Sequence, residues 1–413
     1  MRILWLKTEL LHPLDKGGRI RTYHMLRELH AEHRITYLTL DDGTAASDAG
    51  ERATEYCTKL LRVPARTASK SSPRLYAELA QNQLLSTLPY AVWKYRSRRM
   101  RKQLEAIVWQ GEADVVVCDF LAPAVNVPAL VPLPTVLFQH NVEATIWKRH
   151  AEYAATPTRR KYFEEQCSRM HAFERQQCRR FDRVVAVSPD DEEHFRGAYG
   201  VQQVASVPTG VDTDYFQPSD TAADPTRLVF TGSMDWMPNE DAMSFFADEI
   251  LPRVKSSVPS VTLSIVGRNP SAAMRQLERT QTAIDVTGTV PDVRPYLERA
   301  GVFVVPLRIG GGTRLKIFEA MAMEKAIVST TVGAEGLPVR DGEHLLIADT
   351  PEQFAAAVVR LIEDPDFARA LGQRASALVR SRFGWRGVAR EFAELCGELV
   401  ESKPPLWATA GAH

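Results

Sequence analysis

The sequence contains few cysteines, and the ones it has form no pattern. They are odd in number and lack the paired spacing of a disulfide framework or a metal site. No His-Glu-x-x-His pattern is present either. We therefore predict no metal site and a reducing, cytoplasmic environment. The cysteines are Cys57, Cys118, Cys167, Cys178 and Cys396.

The sequence also lacks an excess of one charge and any long apolar run. Its 51 basic and 51 acidic side chains give a formal net charge of zero, which gives no reason to expect nucleic acid as a partner. No apolar segment approaches the ~20 residues that cross a bilayer. The apolar run at the amino terminus is broken at Lys7, too early for a secretory signal. Any membrane contact is therefore expected to be peripheral, at the inner face of the plasma membrane.

The chain does contain a repeated alternation of short apolar runs with amphipathic segments. At 413 residues, with 45% hydrophobic and 25% charged residues, it suits two globular domains better than one core. Strands that alternate with helices predict right-handed βαβ units and parallel sheets, and hence an α/β fold. The runs that predict strands are 3–6, 35–40, 115–118, 136–139, 184–187, 228–231, 261–266, 284–287, 302–305 and 326–329.

A stretch rich in Ser, Thr, Asp and Pro interrupts this alternation and indicates a linker. Ligands of parallel-sheet domains bind beyond the carboxyl ends of the strands, so we predict that the functional site lies in a cleft between the two domains. The predicted parts are a first Rossmann-like domain over 1–207, a linker over 208–225, a second Rossmann-like domain over 226–383, a helix over 384–403 that crosses back to the first domain, and a flexible tail over 404–413.

Residues 308–323 combine a glycine loop with a helix start. Gly310 to Gly312 follow an apolar strand and precede a run of helix formers, and glycines let a ligand approach the backbone closely. Arg314 and Lys316 fall in the first turn without an acidic neighbour, an arrangement that the helix dipole disfavours and a bound anion reverses. Glu319, one turn further on, suits a ribose diol. The combination predicts a site for a nucleotide diphosphate.

Two common nucleotide-binding motifs are absent from this loop. It is not a P-loop, because no Gly-Lys-Ser/Thr ends the glycine run, and Leu315 stands where the last glycine of a Rossmann fingerprint belongs. A plain alternative is a buried helix in which Lys316 and Glu319 form a local ion pair. For any one residue that alternative is the better explanation, and only the combination of glycines, cations and carboxylate favours a nucleotide.

Several segments of the second half resemble successive motifs of one known family. They are Val207-Pro-Thr-Gly-Val-Asp212, Thr231-Gly-Ser-Met-Asp-Trp-Met-Pro-Asn239, Ile265-Val-Gly-Arg268, Val304-Val-Pro-Leu307, Phe318-Glu-Ala-Met-Ala322 and Gly333-Ala-Glu-Gly-Leu337. In these segments the chain resembles the retaining glycosyltransferases of the GT-B fold, specifically glycosyltransferase family 4, also called glycosyl transferases group 1. The resemblance extends from Met1 to about Glu401. It implies two Rossmann-like parallel-sheet domains facing across a cleft, with the C-terminal helix crossing back to the first.

The sequence departs from the pattern of that family in two places. The family often shows two glutamates separated by seven residues, and Glu319 matches the second while Gly311 stands at the first. The missing carboxylate argues against an enzyme nucleophile. The Arg and Lys that the family commonly uses for the diphosphate are also absent from 233–241. We assign their role to Arg314 and Lys316.

The resemblance implies transfer of a hexose-type sugar from a nucleotide diphosphate sugar, UDP- or GDP-linked, with its anomeric configuration kept. The acceptor is expected to be a saccharide or a lipid-linked saccharide in cell-surface polysaccharide or glycoconjugate biosynthesis. No metal and no cofactor are expected, because Arg314, Lys316 and the helix-start N–H groups would stabilise the charge on the leaving diphosphate. The predicted donor-binding residues are Gly17, Gly18, Gly232, Ser233, Asn239, Arg268, Gly311, Gly312, Thr313, Leu315 and Glu319.

The first domain contributes two further candidates. Gly17 and Gly18 lie between a predicted strand and helix, where the family has a glycine loop close to the donor phosphates and the acceptor. His140 follows a predicted strand directly, and the family places a histidine or aspartate there against the donor sugar. We therefore predict His140, with Arg314 and Lys316, as catalytic. Taken alone, two glycines usually mark a turn and a single histidine is usually structural.

Two functions from other classes fit the same fold. A sugar-nucleotide 2-epimerase would share both domains and the nucleotide site, but it needs an acid and a base at the C2 atom of the sugar. A non-catalytic nucleotide-sugar binding protein would keep the diphosphate site without turnover, and only Gly311 favours that reading.

Two charged segments complete the sequence predictions. Residues 90–102 place six cations among Trp93, Tyr95 and Met100, a composition that suits an anionic membrane surface and equally a solvated helix face. Residues 147–180 alternate charged and aromatic side chains and predict one long, exposed helix.

Overall fold

A computed structural model describes residues 1–14, 16–66, 68, 72–152, 154, 156–218, 222–309 and 315–403. The chain divides into two compact units. The first, the N-terminal unit, comprises Met1–Pro208 together with the chain from Arg386 onward. The second, the C-terminal unit, comprises Thr209–Trp385.

The N-terminal unit is built on a parallel seven-stranded sheet. Its strands are β1 (Arg2–Lys7), β2 (Arg34–Asp41), β3 (Lys59–Pro64), β4 (Val115–Asp119), β5 (Thr135–Phe138), β6 (Arg183–Ala186) and β7 (Val204–Ser206). They lie in the order β3-β2-β1-β4-β5-β6-β7, with β1 paired to both β2 and β4. β1, β4 and β5 are buried almost throughout, because helices cover both faces of a parallel sheet.

The described residues up to Pro208 form seven α-helices. They are α1 (Gly17–His30), α2 (Pro73–Leu85), α3 (Tyr90–Trp93), α4 (Arg98–Trp109), α5 (Glu143–Glu152), α6 (Pro157–Arg180) and α7 (Pro189–Gly197). Capping side chains and first-turn prolines determine where several of these helices begin. Ser97, Thr156 and Ser188 each accept a hydrogen bond from a first-turn backbone N–H, and α6 and α7 both begin with a proline.

The C-terminal unit repeats the architecture with a parallel six-stranded sheet. Its strands are β8 (Asp224–Thr231), β9 (Thr262–Val266), β10 (Ile284–Gly288), β11 (Ala300–Val305), β12 (Ala326–Ser329) and β13 (Leu346–Ile347). They lie in the order β10-β9-β8-β11-β12-β13. The helices are α8 (Met237–Phe245), which a π-helical turn at Phe246–Ile250 joins to α9 (Leu251–Ser257), then α10 (Ala272–Thr280), α11 (Arg294–Arg299), α12 (Leu315–Ala322), α13 (Pro351–Glu363) and α14 (Pro365–Arg382).

The last helix, α15 (Trp385–Ser402), packs on the N-terminal unit, as the sequence predicts. The ring of Phe392 lies 5.6 Å from that of Trp5 and 5.0 Å from that of Phe138, measured between centroids. Arg183 donates a hydrogen bond to the carbonyl oxygen of Leu395 at 2.8 Å. The two parallel-sheet units and the crossover helix confirm the α/β fold of the GT-B type.

Every strand predicted from an apolar run is present, but the prediction for 147–180 is wrong. This segment is not one helix, because α5 ends at Glu152 and α6 begins at Pro157 with Thr156 as its cap. Proline is tolerated in the first turn of a helix and not in its interior, so Pro157 sets the boundary. Nor is α6 exposed all round, since it buries Gln166, Met170, Phe173, Glu174, Gln177 and Cys178.

The described part of the chain contains no helix that is both long and apolar enough to cross a membrane.

Two helical glycines give a matched test of the packing. A Cβ atom on Gly372 of α14 would lie 2.1 Å from the carbonyl oxygen of Glu324, whereas one on Gly397 of α15 would meet nothing within 4 Å. We expect Gly372→Ala to lower the free energy of unfolding by about 1–3 kcal/mol through overpacking. Gly397→Ala should raise it by about 0.5–1 kcal/mol through helix propensity. Calorimetric melting of both variants checks this, and equal shifts of one sign would contradict it.

Candidate functional site

The carboxyl edge of the N-terminal sheet is organised around the buried carboxylate of Asp119, the last residue of β4. One oxygen, Oδ2, accepts hydrogen bonds from Lys7 Nζ at 2.8 Å, Thr22 Oγ1 at 2.6 Å and Trp5 Nε1 at 3.1 Å. The other, Oδ1, lies 2.6 Å from His140 Nε2. Burial alone would raise the pKa of Asp119, but the Lys7 charge and the bonded His140 outweigh it and hold that pKa below its usual range.

His140 lies directly beyond β5, at the position predicted from the sequence. Its ring stacks on Phe120 with centroids 3.7 Å apart, and only 3% of the residue is exposed. Burial lowers the pKa of His140 to about 3 despite the nearby Asp119 carboxylate, so the ring is neutral at pH 7. With Nε2–H donating to Asp119, the lone pair is on Nδ1, and no described residue bonds that atom. His140 is therefore a fixed, neutral group with one buried acceptor atom that no described residue bonds.

Gly18, in the first turn of α1, has a packing role next to this histidine. A Cβ atom on Gly18 would lie 2.8 Å from Phe120 Cζ, so the absent side chain makes room for the ring that stacks on His140. Phe120 has a φ of +71°, a left-handed conformation that non-glycine residues adopt rarely. Lys7 Nζ lies 4.2 Å above the same ring. Ligand binding at Gly17 and Gly18 stays a prediction.

A buried carboxylate that the sequence analysis missed holds the loop that contains His140. Glu143 and Ala144 are the first two residues of α5. Glu174 of α6 accepts hydrogen bonds from their backbone N–H groups, at 2.8 and 3.1 Å. It also accepts from Gln139 Nε2 at 3.2 Å and Tyr199 Oη at 2.8 Å. Because Gln139 precedes His140 in the chain, Glu174 ties both ends of the β5–α5 connection to α6. No local pattern in 147–180 indicated this role.

In the C-terminal unit, the loops after β8 and β9 cross at two glycines. A Cβ atom on Gly267 would lie 1.7 Å from the carbonyl oxygen of Gly232, so no larger residue fits there. Arg268 Nε donates to Ser233 Oγ at 2.8 Å, and the backbone N–H of Met234 donates to the carbonyl oxygen of Arg268 at 2.9 Å. The crossing thus brings together the predicted residues Gly232, Ser233 and Arg268.

Two more predicted residues join the same network. Lys316 Nζ, from α12, donates to Asn239 Oδ1 at 2.9 Å and lies 4.0 Å from the centroid of Phe230. Asn239 Nδ2 in turn donates to the carbonyl oxygen of Ser233 at 2.9 Å. A Cβ atom on Gly232 would lie 2.8 Å from both Lys316 Nζ and Asn239 Nδ2. A cation, an amide and a bare backbone segment therefore meet beyond the carboxyl ends of β8 and β9.

Glu319 lies one turn beyond Lys316 on α12. Burial raises the pKa of Glu319 to about 7, against the opposing effect of the Lys316 charge. In the part of the chain that the structure describes, no hydrogen bond or ion pair engages the carboxyl group of Glu319. Leu315 is the first residue of α12 that the structure describes. Gly311, Gly312, Thr313 and Arg314 lie outside the described residues, and their roles stay predictions.

Neither edge shows a metal centre. Among the residues that the structure describes, no group of three or more His, Cys, Asp or Glu side chains has the arrangement to hold a metal ion. The polar groups that do meet at these edges are hydrogen-bond donors, a cation and single carboxyls, which suit an anionic, hydroxyl-rich ligand.

Comparison with known proteins identifies the class to which this fold and these edges belong. A family model described as Glycosyltransferase Family 4 matches residues 16–215, and one described as Glycosyl transferases group 1 matches residues 225–364. Together they span most of the chain and account for both units. The chain belongs to the glycosyltransferases of the GT-B fold, which confirms the family predicted from the sequence.

The curated relatives are distant. The chain is 25% identical to D-inositol 3-phosphate glycosyltransferase 2 of Catenulispora acidiphila over 53% of its own length and 57% of that protein. It is 29% identical to the phosphatidyl-myo-inositol mannosyltransferase of Mycobacterium tuberculosis, over 45% of its own length and 51% of that protein. The chain thus spans about half the length of these relatives. An uncharacterised protein in the cps region of Klebsiella pneumoniae is 21% identical over 87% of the chain and 90% of that protein.

Solved structures share the fold over nearly the whole chain. A sucrose-phosphate synthase from Thermosynechococcus elongatus superposes with a TM-score of 0.72 at 17% identity, covering 97% of this chain and 100% of that one. The Anabaena protein HepE, solved in complex with UDP-glucose, gives a TM-score of 0.66 at 14% identity, covering 96% and 100%. At these identities the likeness establishes the architecture alone.

The carboxyl of Glu143 makes stability depend on pH. Burial and the neighbouring Glu174 raise the pKa of Glu143 to about 7, above the ordinary value of 4.5. The folded chain therefore binds more protons than the unfolded chain between pH 4.5 and 7, so stability falls as pH rises through that window. We expect Glu143→Gln to raise the melting temperature at pH 8 and to leave it nearly unchanged at pH 5.

The matched control is Glu152→Gln at the exposed end of the same helix. It should leave the melting temperature unchanged at both pH values. A Glu143→Gln variant that melts lower than the parent at both pH values would show that the ionised carboxylate is stabilising, and would contradict the prediction.

Proposed function

We propose that the chain is a retaining glycosyltransferase that moves a hexose-type sugar from a UDP- or GDP-linked donor to a saccharide or lipid-linked saccharide. The observation that carries the proposal is the network of Lys316, Asn239, Ser233 and Arg268 around the bare backbone of Gly232. Cationic and amide donors around a backbone that a ligand can approach suit a diphosphate. Glu319, one turn beyond Lys316 on α12, is the proposed partner of the ribose hydroxyl groups.

The names of the relatives and of the structural neighbours support this assignment. One relative is named a D-inositol 3-phosphate glycosyltransferase and another a phosphatidyl-myo-inositol mannosyltransferase. HepE was solved with UDP-glucose, and another neighbour, WaaG, is described as a glycosyltransferase involved in lipopolysaccharide biosynthesis. By this analogy we place the chain in the biosynthesis of cell-surface polysaccharides or glycoconjugates, working at the cytoplasmic face of the membrane.

The proposed reaction is a front-face displacement that needs no enzyme nucleophile. The acceptor oxygen forms a bond to the anomeric carbon as the bond from that carbon to the diphosphate oxygen breaks, on the same face of the sugar. The leaving diphosphate takes the proton of the acceptor hydroxyl. Lys316, with Arg314 as its proposed partner, stabilises the negative charge that grows on the diphosphate, so we propose a metal-independent reaction. The neutral His140 offers Nδ1 to a sugar hydroxyl.

The donor site is tested by ligand stabilisation. A nucleotide diphosphate at a hundred times its Kd should stabilise the wild type by about 2.7 kcal/mol. We expect one member of a panel of UDP, GDP, ADP and CMP with their sugars to do so, and Lys316→Met to weaken its binding tenfold or more, because a charge-assisted hydrogen bond is lost.

The control for this experiment is Lys255→Met in α9, which removes an equal charge from the same unit away from the network. It should bind like the wild type. If no nucleotide stabilises the protein, or if Lys316→Met and Lys255→Met behave alike, the network is not a donor site.

We also propose a peripheral membrane contact through the N-terminal unit. In α2 the side chains of Leu84 and Leu85 are 81% and 79% exposed, and α2 is tied to α3 by a hydrogen bond from Tyr90 Oη to Glu78 at 3.0 Å. The exposed cations of residues 94–102 follow directly. Exposed leucines beside a basic segment suit the headgroup region of an anionic bilayer.

Flotation with liposomes tests the membrane contact. The wild type should float with vesicles that contain anionic lipid and remain in solution with neutral vesicles, and Leu84→Glu/Leu85→Glu should prevent flotation. Tyr215→Glu, a change at an exposed aromatic residue of the C-terminal unit, serves as the control. A wild type that stays in solution with both kinds of vesicle contradicts the proposal.

A further inference from the structure

Arg21 of α1 is a buried cation that no other described residue bonds. Only 6% of the residue is exposed, and its Nε atom is fully enclosed and unbonded. No hydrogen bond or ion pair to the rest of its guanidinium group exists in the described part of the chain. Burial lowers the pKa of Arg21 only to about 10, so the group stays charged at neutral pH. A largely buried charge that no described residue pairs is unfavourable unless a partner completes it.

The charged groups nearest to Arg21 are already committed or too far to pair with it. Asp119 attracts Arg21 electrostatically, yet both of its oxygens are bonded to other side chains. Asp191 of α7 also attracts it, without an ion pair within 4.0 Å. His140 is close enough for the Arg21 charge to contribute to its lowered pKa, after burial. Thr22, the residue after Arg21, and His140 bond the same Asp119 carboxylate, which places this turn of α1 at the carboxyl edge of the N-terminal sheet.

The local backbone adds to the positive potential at this position. α1 begins at Gly17, has no acidic residue in its first turn, and follows Lys16. The start of a helix carries a partial positive charge from its unsatisfied N–H groups. Arg21 is thus a guanidinium that the described residues leave unpaired, in the first half of α1 and at the edge where parallel-sheet domains bind ligands.

We propose that Arg21 binds an oxyanion, a phosphate or carboxylate group, of a substrate held by the N-terminal unit. A planar guanidinium forms paired hydrogen bonds with such a group. The oxyanion would be the partner that no described residue provides for Arg21. This proposal rests on the proposed function, because it takes that substrate to be the acceptor or the donor of the glycosyl transfer. Arg21 would hold the anionic group next to the acceptor atom Nδ1 of His140.

The first test separates binding from structure. Arg21→Met removes the charge and keeps much of the volume, and Arg34→Met removes an exposed charge from the same unit. If Arg21 awaits a ligand, Arg21→Met should melt at or above the wild-type temperature in a buffer without oxyanions, since an unpaired buried charge is gone. If Arg21 is instead a structural ion-pair partner, Arg21→Met should melt lower while Arg34→Met does not, and that result overturns the proposal.

The second test measures the oxyanion directly. Inorganic phosphate is titrated calorimetrically into protein carrying Lys316→Met, which disables the other candidate anion site. We expect saturable binding that Arg21→Met weakens tenfold or more, that Arg21→Lys retains in part, and that Arg34→Met leaves intact. Phosphate binding that is absent, or equal in the Arg21→Met protein, overturns the proposal.

A third arm identifies the source of the oxyanion. Phosphate is titrated into wild-type protein saturated with the nucleoside diphosphate that binds. Phosphate binding that persists assigns Arg21 to the acceptor. Competition between the two, together with weaker nucleotide binding by Arg21→Met, assigns it to the donor diphosphate. If no nucleotide binds the wild type, the proposed function fails while the phosphate titration still decides the role of Arg21.

Discussion

The carboxylate of Asp119 determines the shape of the carboxyl edge of the N-terminal sheet. It is buried, so its charge must be met by donors, and these come from β1, from α1 and from the residue that follows β5. Trp5, Lys7, Thr22 and His140 are fixed relative to one another because each bonds the same group. The lysine neutralises the carboxylate and the histidine stays uncharged. A buried network of this kind is rigid only while every member is bonded.

The residues next to the Asp119 network are positioned by it. Phe120, immediately after Asp119, covers the His140 ring, and Gly18 leaves the space that the phenyl group needs. Glu174 secures the following segment by capping the start of α5. Within the described residues, Nδ1 of His140 and Nε of Arg21 are buried atoms without a hydrogen-bond partner at this edge, and we propose that both groups contact a substrate.

The C-terminal unit reaches a comparable arrangement with a close backbone crossing instead of a buried charge. The approach of Gly267 to Gly232 admits no side chain, and it sets the positions of Ser233 and Arg268. Asn239 then links this crossing to Lys316 of α12. A side chain at Gly267 would separate the two loops, whereas one at Gly232 would displace the side chains of Asn239 and Lys316. Either change would disturb the proposed diphosphate contacts.

Sequence reasoning predicted the central strands because a strand buried on both faces must be a continuous apolar run. It missed β3, β7 and β13, which are short or carry exposed and charged residues and so show no such run. The residues that meet at the crossing of the C-terminal unit were predictable because they lie in contiguous motifs, and their donor-binding role stays a prediction. Asp119, Glu174 and Arg21 were not, since their surroundings are assembled from distant segments, as when Trp5 meets Asp119 across 114 positions.

We propose that the chain transfers a sugar from a nucleotide diphosphate donor bound at Lys316. Phosphorus NMR of the donor during incubation with the protein and a membrane-lipid extract as acceptor source tests it most directly. We expect the signals of the sugar nucleotide to give way to those of free nucleoside diphosphate with the wild type, and to persist with Lys316→Met. A donor that stays intact, or that changes to an epimer without release of the diphosphate, contradicts the claim.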